Sequence, residues 1–265
     1  MTDSIVYLMY HEIEQPERPL CESDPGYVRY VVKEADFREQ LAWLRTEGFS
    51  VLSVGEALAE SQREVPRVAI TFDDGCATDL SVAAPLLHEA GFNATFYITV
   101  DHLGRPGYLT ESQLRELSQL GFEIGSHSMT HRFLHDLTSD VIRDEVFGSK
   151  ARLEEITGKR VAHFSCPGGR WDKRVSLLAR EAGYDSLVTS QINVNSARSD
   201  HFRLGRVPVM RGLGLKEFTR LSRGEGLGRR RAQSAVLNVA KRVLGNSIYE
   251  RLRSTVLGQS AGAAS

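Results

Sequence analysis

The sequence predicts an α/β fold, a (β/α) barrel of parallel strands. Short apolar runs rich in β-formers alternate about eight times with helix-compatible segments, the pattern of βαβ units. The length, 265 residues, suits one large domain or one domain plus an appendage. The loops that carry candidate chemistry all follow predicted strands, which puts them at the C-terminal mouth of such a barrel.

The elements follow in order. Ser4 to Tyr10 reads as a buried strand running into His11-Glu12. Ile13 to Val32 contains three Pro and one Gly and reads as a long loop, usually functional or mobile. From Lys33 to Gly48, Phe37, Leu41, Trp43 and Leu44 are spaced for one buried helix face. Phe49 to Leu52 is a short strand, and Ser53 caps a helix over Val54 to Ser61. Val68-Ala69-Ile70 is a strand. Thr78 to Ala90 is helical and closed by Gly91. Asn93 to Val100 is a strand, and Thr110 caps a helix to Leu120. Phe122-Glu123-Ile124 is a strand, Ser139 to Thr157 a long helix, and Ala162 to Ser165 a strand. Asp172 to Ala182 is a helix, Tyr184 to Thr189 and Arg206 to Val209 are strands, and Leu215 to Leu221 is helical.

These elements predict a catalytic domain over residues 1–223 and a basic helical extension over 224–265. In the extension, Arg229-Arg230-Arg231 precedes a helical pattern with Val236, Val239, Ala240, Val243 and Leu244 on one face. It reads either as a helix packed on the barrel or as an interfacial helix on an anionic membrane. Gln259 to Ser265 is a small-residue tail, expected to be disordered.

The formal net charge of −1 shows no nucleic-acid footprint. Three cysteines, Cys21, Cys76 and Cys166, are too few for a disulfide framework. Neither a signal peptide nor a membrane-length apolar run is evident, so the expectation is a cytoplasmic protein, with peripheral contact at the inner membrane face through the basic helix.

Two stretches carry the chemistry. In Thr71-Phe72-Asp73-Asp74-Gly75, two adjacent carboxylates at the mouth of a buried strand repel each other, and a bound cation removes that cost. The bland reading is a helix cap and a turn. In Gly125-Ser126-His127-Ser128-Met129-Thr130-His131, two His four apart share one face if the loop takes a helical turn. One carboxylate plus two imidazoles leave open positions on a metal. His135 extends the spacing but reads as a surface residue.

Together these stretches resemble the polysaccharide deacetylase family, the NodB-homology or carbohydrate esterase family 4. Its T-F-D-D-G motif is matched at 71–75 and its H-S/T-x-x-H motif at His127 and His131. The resemblance implies a distorted barrel of about seven strands. It implies one divalent metal ion, zinc with cobalt or manganese as alternatives, held by Asp74, His127 and His131. It makes Asp73 the general base. The residues alone require one carboxylate off the metal but leave open which.

Phe164 to Asp172 resembles a degenerate R-x-P-x-G motif: Pro167 and Gly169 match, but Ser165 stands where Arg is expected. Arg170 and Arg206 are the two candidates to orient the base in its place. By the same resemblance, the Gly168 N–H is the oxyanion donor, which needs no side chain. The family's usual terminal strand ending in His is not found after Val209, yet Ile5 to Tyr10 runs into His11. This resembles the circularly permuted poly-N-acetylglucosamine deacetylase branch and implies His11 as general acid. The first strand is then expected beside Arg206–Val209 and beside Phe49–Leu52. Cys76 and Cys166 read as small buried residues, and Trp171 as a platform for a sugar ring or as core.

The expected activity is removal of acetyl from N-acetylated sugars or polysaccharide intermediates. Two alternatives stand beside it: an O-acetyl glycan esterase, and a non-catalytic carbohydrate-binding domain that retains the metal.

Overall fold

The computed structural model describes residues 4–59, 65–228 and 230–232. Its strands, in chain order, are β1 (Ser4–Tyr10), β2 (Ile13–Glu14), β3 (Val32–Lys33), β4 (Ser50–Leu52), β5 (Arg67–Asp74) and β6 (Thr95–Ile98). They continue as β7 (Glu123–Ser126), β8 (His163–Ser165), β9 (Ser186–Val188), β10 (Asn195–Ser196) and β11 (Val207–Pro208). The main sheet runs β10-β1-β5-β6-β7-β8-β9, with β11 on β1 and β4 on β5. All its pairings are parallel except β1 with β10. The sheet curls: Leu204 bridges to Val188 of β9, and Val207 pairs with Leu8 of β1.

Alternation along the strands separates two environments. Val68, Ile70 and Phe72 of β5 face outward into a large apolar layer under the helices, with Val6, Leu8, Tyr10 and Phe96. Phe72 stacks on Phe96 at 4.9 Å and on Tyr10 at 5.3 Å. Ala69 belongs instead to a small inner plug with Tyr7, Tyr97, Val188 and Leu204. By the same period, Thr71 and Asp73 project inward above that plug. Gly125 on β7 lies where a Cβ would come within 2.4 Å of the Tyr97 ring, so the glycine lets that ring fill the barrel interior.

Local signals explain most helix starts. Ser53 and Glu56 exchange side-chain bonds to each other's backbone N–H, and Thr110 with Gln113 forms the same reciprocal cap. The Asp172 carboxylate accepts from the N–H groups of Arg174 and Val175. Each such cap stabilises its helix by about 1 kcal/mol.

Five expectations need correction. The helix over Ser139 to Thr157 is interrupted by a π turn at Asp144–Gly148, and the helix after Thr78 begins as a π turn at Asp79–Ala83. The long loop after β2 is not structureless: β2 pairs with β3, and Pro25–Val28 is a helical turn capped by Asp24. His127 to His131 does not take a helical turn; it is an irregular loop with Ser128 at φ 69° and His131 at φ 62°. Finally, β1 neighbours β11 as expected but not β4. β1 pairs with β5 across residues 68–72, and β4 pairs only with the first residues of β5, 67–69. A three-residue strand is too short to reach from the base of the barrel to its mouth. The expected basic helix lies mostly outside the described residues. Among these, no helix is long and apolar enough to cross a membrane.

Candidate active site

β5 delivers Asp73 and Asp74 side by side at its C-terminal end, both buried. Asp73 continues the strand and points into the barrel. Asp74 sits at φ 82°, a left-handed conformation that turns its side chain out of the strand's alternation.

Asp73 is tied down. Arg206, fully buried, donates through Nη1 and Nη2 to its two carboxylate oxygens at 2.7 Å each. The other guanidinium N–H groups reach Thr189 O, Thr71 Oγ1 and Ser165 Oγ, so all five donors are used. Ser165 Oγ also lies 3.4 Å from both Asp73 oxygens. The small side chain in the degenerate third motif therefore leaves the space that an arginine from the segment entering β11 fills. Burial alone would raise the Asp73 carboxyl. The Arg206 charge and hydrogen bonds, with help from His127 and His11, hold it well below the usual carboxylate range. Arg170 lies elsewhere: it covers the Phe133 ring at 3.8 Å and stands 3.6 Å from Asp136.

Asp74 is left open. Its Oδ1 is 3.6 Å from His127 Nε2 and 3.3 Å from His131 Nε2, yet accepts no hydrogen bond among the described residues. The His127 Nδ1 is 2.8 Å from the Ser165 carbonyl, a bond that requires the proton on Nδ1 and leaves the Nε2 lone pair facing Asp74. Burial pushes His127 down to about 4, so its imidazole is neutral at ordinary pH. One ligand atom from each of Asp74, His127 and His131 can be chosen so that all lie within 4.8 Å of one another. An orphaned buried carboxylate oxygen, an imidazole with its lone pair turned inward and a second imidazole fit a divalent cation with positions to spare. His135 is outside this group and pairs with Asp136 at 3.0 Å.

The double-His loop is held from two sides. The N–H groups of Val100 and Asp101 donate to the carbonyls of Ser128 and Met129. Buried Glu145 accepts from the N–H groups of Met129 and Thr130, from the Thr130 hydroxyl, and from Arg132. Glu145 was not singled out from sequence; the available signal was an acid on the apolar face of a long helix. His102, 5.6 Å from His131 between ring centroids, was missed too, since nothing in the chain marks it.

His11 extends from β1, whose Tyr10 is in register with Phe72, so it stands across from Asp73. It stacks on Tyr30 at 4.8 Å, and its Nδ1 is buried without a partner among the described residues. Gly168 occupies an exposed turn after β8 at φ 60°. Trp171 is half-buried against the outer core with the Arg203 guanidinium over its ring at 4.9 Å, so one face of the expected sugar platform is already covered.

Comparisons with known proteins agree with this geometry. The polysaccharide deacetylase family profile matches residues 60–187. A Bacillus subtilis protein, YxkH, named as a polysaccharide deacetylase, is 31% identical over 215 residues, spanning 80% of this chain and 73% of its own. The Bacillus cereus peptidoglycan-N-acetylglucosamine deacetylase is 32% identical over 132 residues, 48% of this chain and 60% of its own. The fold matches that of the Streptococcus pyogenes deacetylase PplD, solved with acetate, with a TM-score of 0.73 and 24% identity over 83% of this chain and 98% of that one. The extent of the YxkH match, together with the two motifs converging at one barrel mouth, establishes that the chain belongs to the polysaccharide deacetylase family.

Proposed function

We propose that the protein is a metal-dependent hydrolase that removes acetyl groups from N-acetylated sugars. The observation that carries this reading is the pairing of opposites at the end of β5: an ionised Asp73 locked to Arg206 beside an orphaned Asp74 facing two imidazoles. A divalent cation held by Asp74, His127 and His131, zinc or otherwise cobalt or manganese, would polarise the acetyl carbonyl and acidify a water molecule.

The chain's own groups supply the rest. Asp73 accepts the proton of the attacking water, and Arg206 fixes its orientation and keeps it anionic beforehand. The Gly168 N–H is proposed to meet the developing oxyanion. His11, held by Tyr30, gives a proton to the departing amine, so that acetate and the free amino sugar leave. The N-acetylglucosamine named for the Bacillus cereus relative supports the same substrate class.

Acetate release is the test. An N-acetylglucosamine oligomer and an O-acetylated xylan oligomer should be compared with added Zn²⁺, Co²⁺ or Mn²⁺. Metal-stimulated release from the first is expected. Release only from the second would replace the amidase reading with the esterase. Binding without release from either would favour a non-catalytic carbohydrate module.

A further inference from the structure

A second cluster lies beside the first and takes no part in the proposed chemistry. Three loops build it. Glu12 follows His11 at the exit of β1. Cys76 follows the Asp-Asp-Gly turn at the exit of β5. Cys21 is carried in by the long loop between β2 and β3. A carboxylate oxygen of Glu12 and the Sγ atoms of Cys21 and Cys76 all lie within 4.8 Å of one another. Glu12 Oε2 accepts from the Cys21 N–H and from the Tyr27 hydroxyl, each at 3.0 Å, and that hydroxyl is 3.2 Å from Cys76 Sγ. Gly107, at φ 95°, lets a fourth loop close over Cys21: a Cβ there would sit 3.2 Å from the sulfur.

The electrostatics of this cluster are incomplete. Glu12 and Asp79 are each 1% exposed, and neither makes an ion pair among the described residues. Both carboxylate oxygens of Asp79 are buried with no hydrogen bond among those residues. Burial, with Cys21, Asp74 and Glu12 adding to it, pushes the Asp79 carboxyl well above its ordinary range. Arg18 also reaches this side. Its guanidinium donates to the Gly107 carbonyl that also accepts from the Cys21 thiol, without pairing with either carboxylate. Two thiols within reach of one buried carboxylate are the donor set of a thiophilic divalent cation.

We infer that Glu12, Cys21 and Cys76 form a second cation site for a thiophilic divalent ion such as Zn²⁺. Binding releases the two thiol protons to solvent and leaves both sulfurs as thiolates. The ion clips the loop that carries Tyr27 and Tyr30 to the barrel mouth, and Tyr30 is the residue stacked on His11. A Cys21–Cys76 disulfide would also join these loops, but it would give the Glu12 carboxylate no part, whereas a cation uses all three side chains.

Cobalt titration of the full-length, reduced, metal-free protein tests this. The Asp74–His127–His131 site has no sulfur, so only the cysteine cluster can give a thiolate-to-cobalt charge-transfer band in the near ultraviolet. The expected result is that band together with a second equivalent of bound cobalt. His127→Ala should keep the band, so failure of the catalytic reading and failure of this one are separable. Cys21→Ser, checked for folding by circular dichroism, should lose the band and one equivalent. In the unmodified protein, saturating Zn²⁺ should slow alkylation of half-buried Cys21 by at least ~10-fold. Three results would overturn the site: no charge-transfer band in folded protein, a band that survives in Cys21→Ser, or a Cys21 that zinc leaves as reactive as before.

Discussion

Asp73 and Asp74 are adjacent in sequence, chemically identical and both buried, yet the fold treats them in opposite ways. Asp73 meets a built-in cation, Arg206, and its oxygens are bonded. Asp74 meets two imidazoles and keeps an unbonded oxygen. A buried carboxylate that is already neutralised has no electrostatic reason to join a metal and is free to act as a base. One that is not neutralised is a ligand in waiting. The division of labour proposed for the two carboxylates thus rests on what the rest of the barrel puts beside each one.

The largest effect should come from emptying the open side. His127→Ala should remove most bound metal and bring deacetylation to background. Full metal occupancy by elemental analysis in that variant would break the assignment. On the closed side, Asp73→Asn should retain metal but slow deacetylation by at least ~10²-fold. If it lost metal and kept residual activity, the two roles would be reversed.

Stability sharpens the contrast. In metal-free protein, Asp73→Asn strands the buried Arg206 charge and should cost about 3–5 kcal/mol in urea unfolding. Asp74→Asn removes no bonded partner, and Asn tolerates a positive φ, so its cost should be much smaller. Equal costs would mean that the two environments differ less than their hydrogen bonds indicate.

His11→Ala should leave both carboxylates and the metal in place. It should slow amide cleavage by ~10²-fold while sparing an activated aryl acetate, whose leaving group needs no proton. Equal losses on the two substrates would leave His11 a positional role only.

The smallest effect is a pH dependence. Burial lowers His127 from 6.5 to about 4, so the native state of the metal-free protein favours the neutral ring. That contribution to stability is complete above the unfolded value of 6.5 and is lost as pH falls toward 4. The melting temperature, followed by circular dichroism, should drop across this window. His127→Gln should flatten the drop.

Much of this protein was legible in its sequence because the signals were local. The alternation of strands and helices, the caps at Ser53 and Thr110, the Asp-Asp-Gly turn and the paired histidines each depend on residues a few positions apart. His11 was legible too, as an apolar strand running into a histidine, and parallel pairing carried it to the mouth beside Asp73.

Tertiary structure decided what distance in the chain conceals. Arg206 is 133 residues from Asp73, and nothing local separates a buried, fully bonded arginine from Arg170, its rival in the third motif. The histidines converge through two left-handed residues and the grip of Glu145, not through the helical turn their spacing suggested. Cys76 reads as a small buried residue and Cys21, 55 residues away, as one of three sparse cysteines, until barrel closure sets both against Glu12. Short-range backbone preferences write themselves into neighbouring residues. The partner of a buried charge is chosen by which strands close the barrel, and the chain records that choice only once it is folded.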